Sequence, residues 1–258
     1  MKKLLAVVLL LLPAMLFAQS PFDGTWKTNM AASKVSQKPF VYLVNNGMYD
    51  CESCAPKIHV KADGRDQAVT GQTYDTIAVQ VVDANTIRLT GKKAGKTEFV
   101  STRTVSQDGK TLTTTSTVNP ADGSQPFKAE AKFTRVSKGP DGSNATSGSW
   151  RVQNFKEDAA ALTSTWKSVG GGLSISTATG FGWEAKLDGK ESPVKGTYAN
   201  ETVSLKSLGT HSIEVTYRRD GKIESVEKIT VSSDGKKMTT VVDNKLTGRV
   251  STDIAEKQ

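Results

Sequence analysis

Apolar side chains recur at every second position in several segments of this chain, with charged or hydroxyl side chains between them. The clearest segments lie at residues 57–62, 127–133 and 213–218. This period puts the apolar side chains on one face of an extended strand and the polar ones on the other. Asp-Gly and Gly-Lys turn signals separate the segments, as in an antiparallel meander. We therefore predict an all-β fold of antiparallel up-and-down barrels, with eight or nine short strands each, because closure removes exposed strand edges.

The chain is also duplicated. Residues 76–114 align without a gap with residues 202–240, and 15 of the 39 aligned residues are identical. A Ser-x-Asp-Gly-Lys segment begins at Ser106 in the first copy and at Ser232 in the second. Near the start of each copy stands a Gly-x-Trp segment, which ends at Trp26 and at Trp150. These recurring strand and turn residues predict two tandem barrels of the same kind.

A polar segment rich in Gly, Ser and Pro separates the two copies, and this composition is typical of a linker. We predict a first domain at residues 21–137, a linker at 138–147 and a second domain at 148–258. The alternative is one larger barrel or sandwich in which the two repeats pair as halves, and the linker argues against it. One short helix is expected at residues 154–162, with Asn154 as its N-cap.

Residues 1–20 have the pattern of a cleavable signal peptide. Two lysines precede an apolar run at residues 4–12, and Ala18 suits a cleavage site. We expect a periplasmic or secreted protein without a membrane span, since no later segment has the roughly 18–20 apolar residues that a span needs. The formal charge is +8, but many of the cations stand singly in turns. Nucleic acid is therefore not an expected partner, because its binding favours clustered Lys and Arg.

The two cysteines, Cys51 and Cys54, lie three residues apart in a protein that we expect to be exported. In an oxidising compartment such a pair predicts a disulfide. A thioredoxin-like function would need the first cysteine at the start of a helix, and a c-type haem would need histidine at position 55, which is alanine. We expect a local loop staple worth about 2 kcal/mol in the loop-entropy model.

The motifs of known catalytic centres are missing from the sequence. It contains no Gly-x-Ser-x-Gly elbow, no His-Glu-x-x-His and no phosphate-binding glycine loop. We assign no catalytic residue, no metal site and no cofactor, and we expect a non-enzymatic protein. An enzyme on the same scaffold is a less favoured alternative, and the oligomeric state is not specified by the sequence.

One charged residue in each copy shares the strand parity of apolar neighbours. Arg103 is in phase with Phe99 and Val105, and Glu227 is in phase with Ile229. If the apolar residues face inward, each barrel holds an interior charge, which usually marks a ligand or a partner because an unpaired buried charge is costly. The alternative is a β-bulge that shifts the parity and returns the charge to solvent. We predict Arg103 and Glu227 as ligand-binding residues.

The Gly-x-Trp first strand, the short helical segment and the meander of about 110 residues resemble the calycin barrels, which are the lipocalins and fatty-acid-binding proteins. This resemblance implies that Trp26 and Trp150 plug the closed ends of the barrels, and that Arg103 holds a carboxylate. The segment from Tyr49 to Gly64 also resembles a group of exported bacterial two-repeat proteins of unassigned function. We expect a binding protein for a small apolar, lipophilic or amphipathic ligand. The alternative is a structural or interaction module of the cell envelope, with filled barrels whose loops bind a protein or polysaccharide.

Overall fold

The computed structural model describes residues 20–120, 123, 125–197 and 200–258. The predicted signal peptide lies almost entirely in residues 1–19, outside the described residues. Every regular element in the described part of the chain is a β-strand, and all pairings between neighbouring strands are antiparallel. The predicted all-β fold with two antiparallel barrels is confirmed, although each barrel has ten strand segments rather than eight or nine.

Barrel 1 is a ten-stranded sheet formed by one continuous stretch of chain. Its two edge strands follow one another along the chain and are joined through Ala62, so the sheet curves into a nearly closed barrel. Its strands are β2 (Phe40–Asn45), β3 (Met48–Cys51), β4 (Ile58–Lys61), β5 (Asp63–Ala68), β6 (Thr76–Asp83), β7 (Thr86–Lys93), β8 (Lys96–Val105), β9 (Thr111–Val118), β10 (Phe127–Lys138) and β11 (Gly148–Glu157).

Barrel 2 is a closed barrel formed by the two ends of the described chain. The first strand, β1 (Gly24–Thr28), lies between the strands β12 and β20 and completes the ring. The other strands are β12 (Thr163–Val169), β13 (Gly172–Thr177), β14 (Gly182–Lys186), β15 (Ser192–Lys195), β16 (Glu201–Gly209), β17 (Ser212–Arg219), β18 (Lys222–Val231), β19 (Lys237–Asn244) and β20 (Arg249–Lys257).

The boundaries of the barrels differ from those of the sequence repeats. The first strand of repeat 1, β1, pairs with β12 and β20 of repeat 2. The first strand of repeat 2, β11, pairs with β2 and β10 of repeat 1. Trp26 therefore lies in the core of barrel 2, and Trp150 lies in the core of barrel 1. Whether each repeat folds as an independent domain stays a prediction.

The predicted helix at residues 154–162 is wrong. Residues up to Glu157 extend β11, and residues 159–162 form a turn. Pairing with β10 outweighs the local helical preference, since Asn154 faces Lys132 and Phe155 faces Ala131 across the ladder. Phe155 also packs against the core of barrel 1, which rewards the extended conformation.

The segment predicted as a linker packs against barrel 1 at its C-terminal end. Thr146 and Ser147 are buried. The Ser147 hydroxyl accepts a hydrogen bond from the Val44 amide at 2.8 Å and donates one to the Val44 carbonyl at 3.2 Å. The Ala145 amide donates to the Ala84 carbonyl at 2.9 Å. These contacts fix the entry of β11 into barrel 1.

Candidate ligand-binding interiors of the two barrels

Barrel 2 contains a cavity of about 400 Å³. The cavity is bordered by apolar and aromatic side chains, by hydroxyl and amide groups and by four carboxylates, and no Lys, Arg or His lies among the described residues that line it. The carboxylates belong to Glu201, Glu224, Glu227 and Asp253. A pocket with this volume, apolar walls and few polar groups falls within the ~300–1,000 Å³ range typical of small-molecule sites.

Glu227 lies near the middle of this interior because of the alternation along β18. Ser225, Ile229 and Val231 are buried on the same face of the strand. Across the sheet Glu227 faces Val215 on one side and Val242 on the other. The inward orientation therefore agrees with the parity of the sequence, and the register shift between β17 and β18 lies beyond Ser225.

The Glu227 carboxylate has no hydrogen bond or ion pair with any residue that the structure describes. Its pKa is raised from 4.5 to about 7, first because burial disfavours the charged form and then because Asp253 and Glu201 repel it. Burial also raises the pKa of Asp253. Glu201 is buried and accepts a hydrogen bond from the Thr197 hydroxyl at 2.7 Å. The interior of barrel 2 is therefore rich in carboxylates, and Glu227 and Asp253 have no ion pair with the residues that the structure describes.

An aromatic wall stands beside these carboxylates. The Trp183 indole N–H donates to the Tyr217 hydroxyl at 2.9 Å, which fixes the ring of Tyr217. The rings of Tyr217 and Phe181 have their centroids 6.4 Å apart, and those of Trp166 and Trp183 meet edge to face at 5.6 Å. Burial, and then the nearby Glu227 carboxylate, raise the pKa of the Tyr217 phenol well above 10, so Tyr217 stays a hydrogen-bond donor.

Arg103 lies inside barrel 1, as its parity predicted. Its guanidinium packs over the Tyr42 ring, 3.9 Å from the centroid, and donates to the Tyr49 hydroxyl at 2.9 Å. The structure describes no carboxylate in contact with it. Arg103 aligns with Ile229 of barrel 2, and Glu227 aligns with Ser101 of barrel 1, so the two interiors carry opposite charges.

The open ends of the two interiors are filled differently. In barrel 1, Gly91 faces Phe99 across the ladder, and a Cβ atom on Gly91 would lie only 2.1 Å from the Phe99 ring. In barrel 2 the aligned pair is Tyr217 and Ser225. The large side chain of the pair is therefore Phe99 on β8 in barrel 1 and Tyr217 on β17 in barrel 2. Phe99 also meets Tyr74 edge to face at 5.1 Å, which narrows barrel 1 at this level.

The two repeated tryptophans occupy matching positions in the opposite barrels, and both are buried. The Trp26 indole donates to the Phe22 carbonyl at 2.7 Å, and the Trp150 indole donates to the Thr146 carbonyl at 2.9 Å. A cation from the neighbouring strand covers each ring, Lys257 on Trp26 and Arg135 on Trp150. The plug role of both tryptophans stays a prediction.

Arg135 was missed by sequence reasoning, although it holds several backbone groups together. Its guanidinium lies 3.9 Å from the centroid of the Trp150 ring. It donates to the carbonyls of Ala145 at 2.7 Å and Ser147 at 2.9 Å, and also to that of Gly109. Arg135 has the parity of the buried residues Ala131 and Phe133, so the signal that singled out Arg103 was also present in β10.

The predicted disulfide between Cys51 and Cys54 is confirmed, with an S–S distance of 2.10 Å. Cys51 is buried opposite Tyr42, so the disulfide attaches its loop to the core of barrel 1. This loop borders a cavity of about 600 Å³ between the barrels. Arg219 of barrel 2 crosses to the loop and donates to the Ala55 carbonyl at 3.0 Å.

The inter-barrel cavity is larger than the barrel 2 cavity, but several of its cations already have partners. Arg219 lies 3.5 Å from the Glu224 carboxylate, and Lys57 lies 2.6 Å from that of Glu52. Arg249 donates to the Pro39 carbonyl at 2.8 Å. We therefore place the candidate ligand site in barrel 2, where the charged groups face free space.

Comparison with protein-family models, with curated proteins and with solved structures gives no match. Within the described residues, no three or more His, Cys, Asp or Glu side chains are grouped so that they could hold a metal ion. The described part of the chain also has no helix long and apolar enough to cross a membrane. The candidate site is thus defined by its own geometry: a β-barrel interior with an apolar wall and several carboxylates.

Proposed function

We propose that this protein is an exported, non-enzymatic binding protein that holds a small apolar or amphipathic ligand inside a β-barrel. The observation that carries the proposal is the cavity of about 400 Å³ in barrel 2. Close-packed protein interiors contain few voids larger than a water molecule. A cavity of this size, bordered by the rings of Trp166, Phe181 and Tyr217, therefore favours a ligand over a purely structural barrel.

The resemblance to the calycin barrels supports the same function. In lipocalins, a tryptophan from a Gly-x-Trp first strand plugs one end of the barrel, and a late arginine closes it. Trp150 and Arg135 are in contact in barrel 1, and Trp26 and Lys257 form the corresponding pair in barrel 2. Lipocalins and fatty-acid-binding proteins carry small lipophilic molecules, so the resemblance suggests a carrier.

Arg103 offers a second binding group, in barrel 1. An interior arginine that contacts only aromatic groups among the described residues is suited to an acidic ligand, as in fatty-acid-binding proteins. Replacement of Arg103 by Leu is expected to abolish the binding of any acidic ligand to barrel 1. Unchanged affinity of Arg103→Leu for such a ligand would rule out this role.

The test of the proposed function is native mass spectrometry of the full-length mature protein, purified from its own envelope without added detergent. A reproducible small molecule at one or two copies per chain, released by denaturing extraction, would establish a carrier and identify its ligand. Repeated recovery of the protein without any bound molecule, followed by failure to bind a panel of lipids and amines, would refute it.

The alternative function is an interaction module of the envelope. The observation that favours it is the cavity of about 600 Å³ between the barrels, which is open to solvent and bordered by loops of both. In this case the occupant would be a protein loop or polysaccharide rather than an interior ligand. Pull-downs from envelope extracts, with and without a bulky substitution at Ala55, distinguish the two functions because that substitution leaves the barrel interiors unchanged.

A further inference from the structure

The walls of the barrel 2 cavity combine several acidic groups with no basic one. Glu201 from β16, Glu224 and Glu227 from β18 and Asp253 from β20 all border the cavity. Glu224 lies 3.5 Å from Arg219, and Glu201 accepts a hydrogen bond from the Thr197 hydroxyl at 2.7 Å. The carboxylates of Glu227 and Asp253 border the cavity and have no hydrogen bond or ion pair with the residues that the structure describes. Uncompensated charge in such a space is costly, and a positively charged occupant relieves that cost.

Glu227 provides the independent observation that points to a ligand. It borders the cavity from the middle of β18, and burial is the largest cause of its perturbed titration. Glu227 is half-buried on the inner face of its strand, where a carboxylate normally accepts hydrogen bonds from the protein because an unmet charged acceptor is costly. Glu227 has no such partner among the described residues, so its oxygens are available to a donor that enters the cavity.

We propose that barrel 2 binds a small amphiphile through a protonated amino group, which the Glu227 carboxylate accepts inside the cavity. This inference rests on the proposed carrier function and specifies its ligand class. An ammonium group supplies both the positive charge and the hydrogen-bond donors that Glu227 lacks. Asp253 and Glu201 add attraction from the neighbouring strands, and the Tyr217 and Phe181 rings offer faces that attract cations.

The rest of the cavity sets the shape of the ligand. Ile175, Ile229, Met238 and Ala255 line it with apolar surface. A short alkyl or aryl group can cover this surface while its amine reaches the carboxylates. A fatty acid places a second negative charge beside Glu227 and is therefore excluded from barrel 2. The expected ligand is an organic amine with a compact apolar part.

The test compares three probes with the same eight-carbon chain: octylammonium, octanol and octanoate. Isothermal titration of the full-length mature protein at pH 8 keeps Glu227 mainly ionised and octylamine protonated. We expect octylammonium to bind with one site per chain and at least tenfold more tightly than octanol. Octanoate is tested on the Arg103→Leu variant, in which barrel 1 has lost its interior cation, and should bind more weakly still. In the Glu227→Gln variant this preference for octylammonium over octanol should fall to less than twofold.

Two further variants keep the test specific. Glu184→Gln removes an exposed carboxylate from the outer face of β14 and should leave the binding of octylammonium unchanged. Asp141→Asn removes an exposed carboxylate from the loop between β10 and β11 and should also leave it unchanged. If Glu227→Gln binds octanol as the native protein does, its cavity is intact, and the lost affinity reports charge rather than misfolding.

The outcomes separate this inference from the carrier function. If octanol, or octanoate on the Arg103→Leu variant, binds as tightly as octylammonium, the charge inference is overturned and a carrier of another ligand class remains. An equal loss of affinity for octylammonium in Glu184→Gln and Glu227→Gln would overturn it as well, because the attraction would then be a general surface effect. Failure of all three probes, together with apo protein from the envelope, would overturn both proposals.

Discussion

Replacing Glu227 by Gln should change how the stability of barrel 2 depends on pH. The folded pKa of Glu227 is about 7, whereas its ordinary value is 4.5. Between these two pH values the folded protein retains a proton that the unfolded chain releases, so stability falls as the pH rises. Above pH 7 the folded barrel must hold a buried carboxylate. Gln has nearly the same shape and cannot ionise, so the free energy of unfolding of the variant lacks the decrease that the ionisation of Glu227 causes.

The size of the effect follows from the two pKa values. A difference of one pH unit corresponds to about 1.36 kcal/mol, so the interval from 4.5 to about 7 corresponds to about 3 kcal/mol. The free energy of unfolding of Glu227→Gln, minus that of the native protein, should therefore rise by about 3 kcal/mol between pH 4.5 and pH 8. Since Asp253 and Glu224 remain, both proteins keep the pH dependence that those groups cause.

Urea unfolding at several pH values, followed by tryptophan fluorescence, measures this difference. Trp26, Trp166 and Trp183 lie in barrel 2, so the signal reports mainly on that barrel. Glu184→Gln is the matched control, because it removes an exposed carboxylate and should follow the native curve. If the free energies of unfolding of Glu227→Gln and the native protein change in parallel from pH 4.5 to pH 8, the folded structure does not raise the pKa of Glu227 and the reasoning fails.

Three further predictions concern barrel 1. Gly91→Tyr alone should be strongly destabilising, because Phe99 fills the space beside Gly91. The double variant Gly91→Tyr with Phe99→Ser has the arrangement of barrel 2, so in a double-mutant cycle its free energy of unfolding should exceed the value expected from the two single changes by at least about 1 kcal/mol. Arg135→Met should cost about 3 kcal/mol in urea unfolding, because three carbonyls lose a charged donor; a loss below about 1 kcal/mol would contradict this. A fragment of residues 38–160 should fold alone, as judged by dispersed NMR spectra, and should be more stable than the fragment 21–137, which lacks the strand between β2 and β10; the reverse order would refute the assignment of that strand.

The strands and the inward charges were within reach of sequence reasoning. A strand buried on one face keeps its parity as long as its ladder stays regular, so the period of two predicts both strand and orientation. In β8 the register shift lies near Lys92, on the far side of Phe99 from Arg103. In β18 the shift lies beyond Ser225 from Glu227. Neither shift reaches the charged residue, and its parity therefore survives.

The placement of the first strands was out of reach. Both β1 and β11 carry the same Gly-x-Trp segment, so their local preferences are equal and cannot decide which barrel each one joins. Long-range contacts decide it instead: the Asn29 amide donates to the Ile254 carbonyl at 2.7 Å, and Lys34 forms an isolated bridge with Thr252. These contacts run along β20 and carry the chain from barrel 2 toward barrel 1.

The companions of Glu227 were also missed, for two different reasons. Glu201 has the parity of Val203 and Leu205, so a signal existed in β16. In β20 the alternation does not show which face is buried, because Asp253 and its neighbour Ile254, on opposite faces of the strand, are both half-buried. A barrel interior gathers residues from strands far apart in sequence, and parity within one strand says nothing about which of them meet.

The division between shared and divergent residues explains how one duplicated scaffold can hold two different interiors. In the shared turns, the Ser106 hydroxyl donates to Asp108 and the Ser232 hydroxyl donates to Asp234, both at 2.6 Å. Each barrel needs these turns whatever it binds, so they recur. The side chains of Arg103 and Glu227 take no part in the backbone hydrogen bonds of the turns and ladders, and each residue is aligned with a neutral one in the other copy. A change inside one barrel therefore leaves the other intact, which is why the binding of octanoate to barrel 2 can be measured in the Arg103→Leu variant.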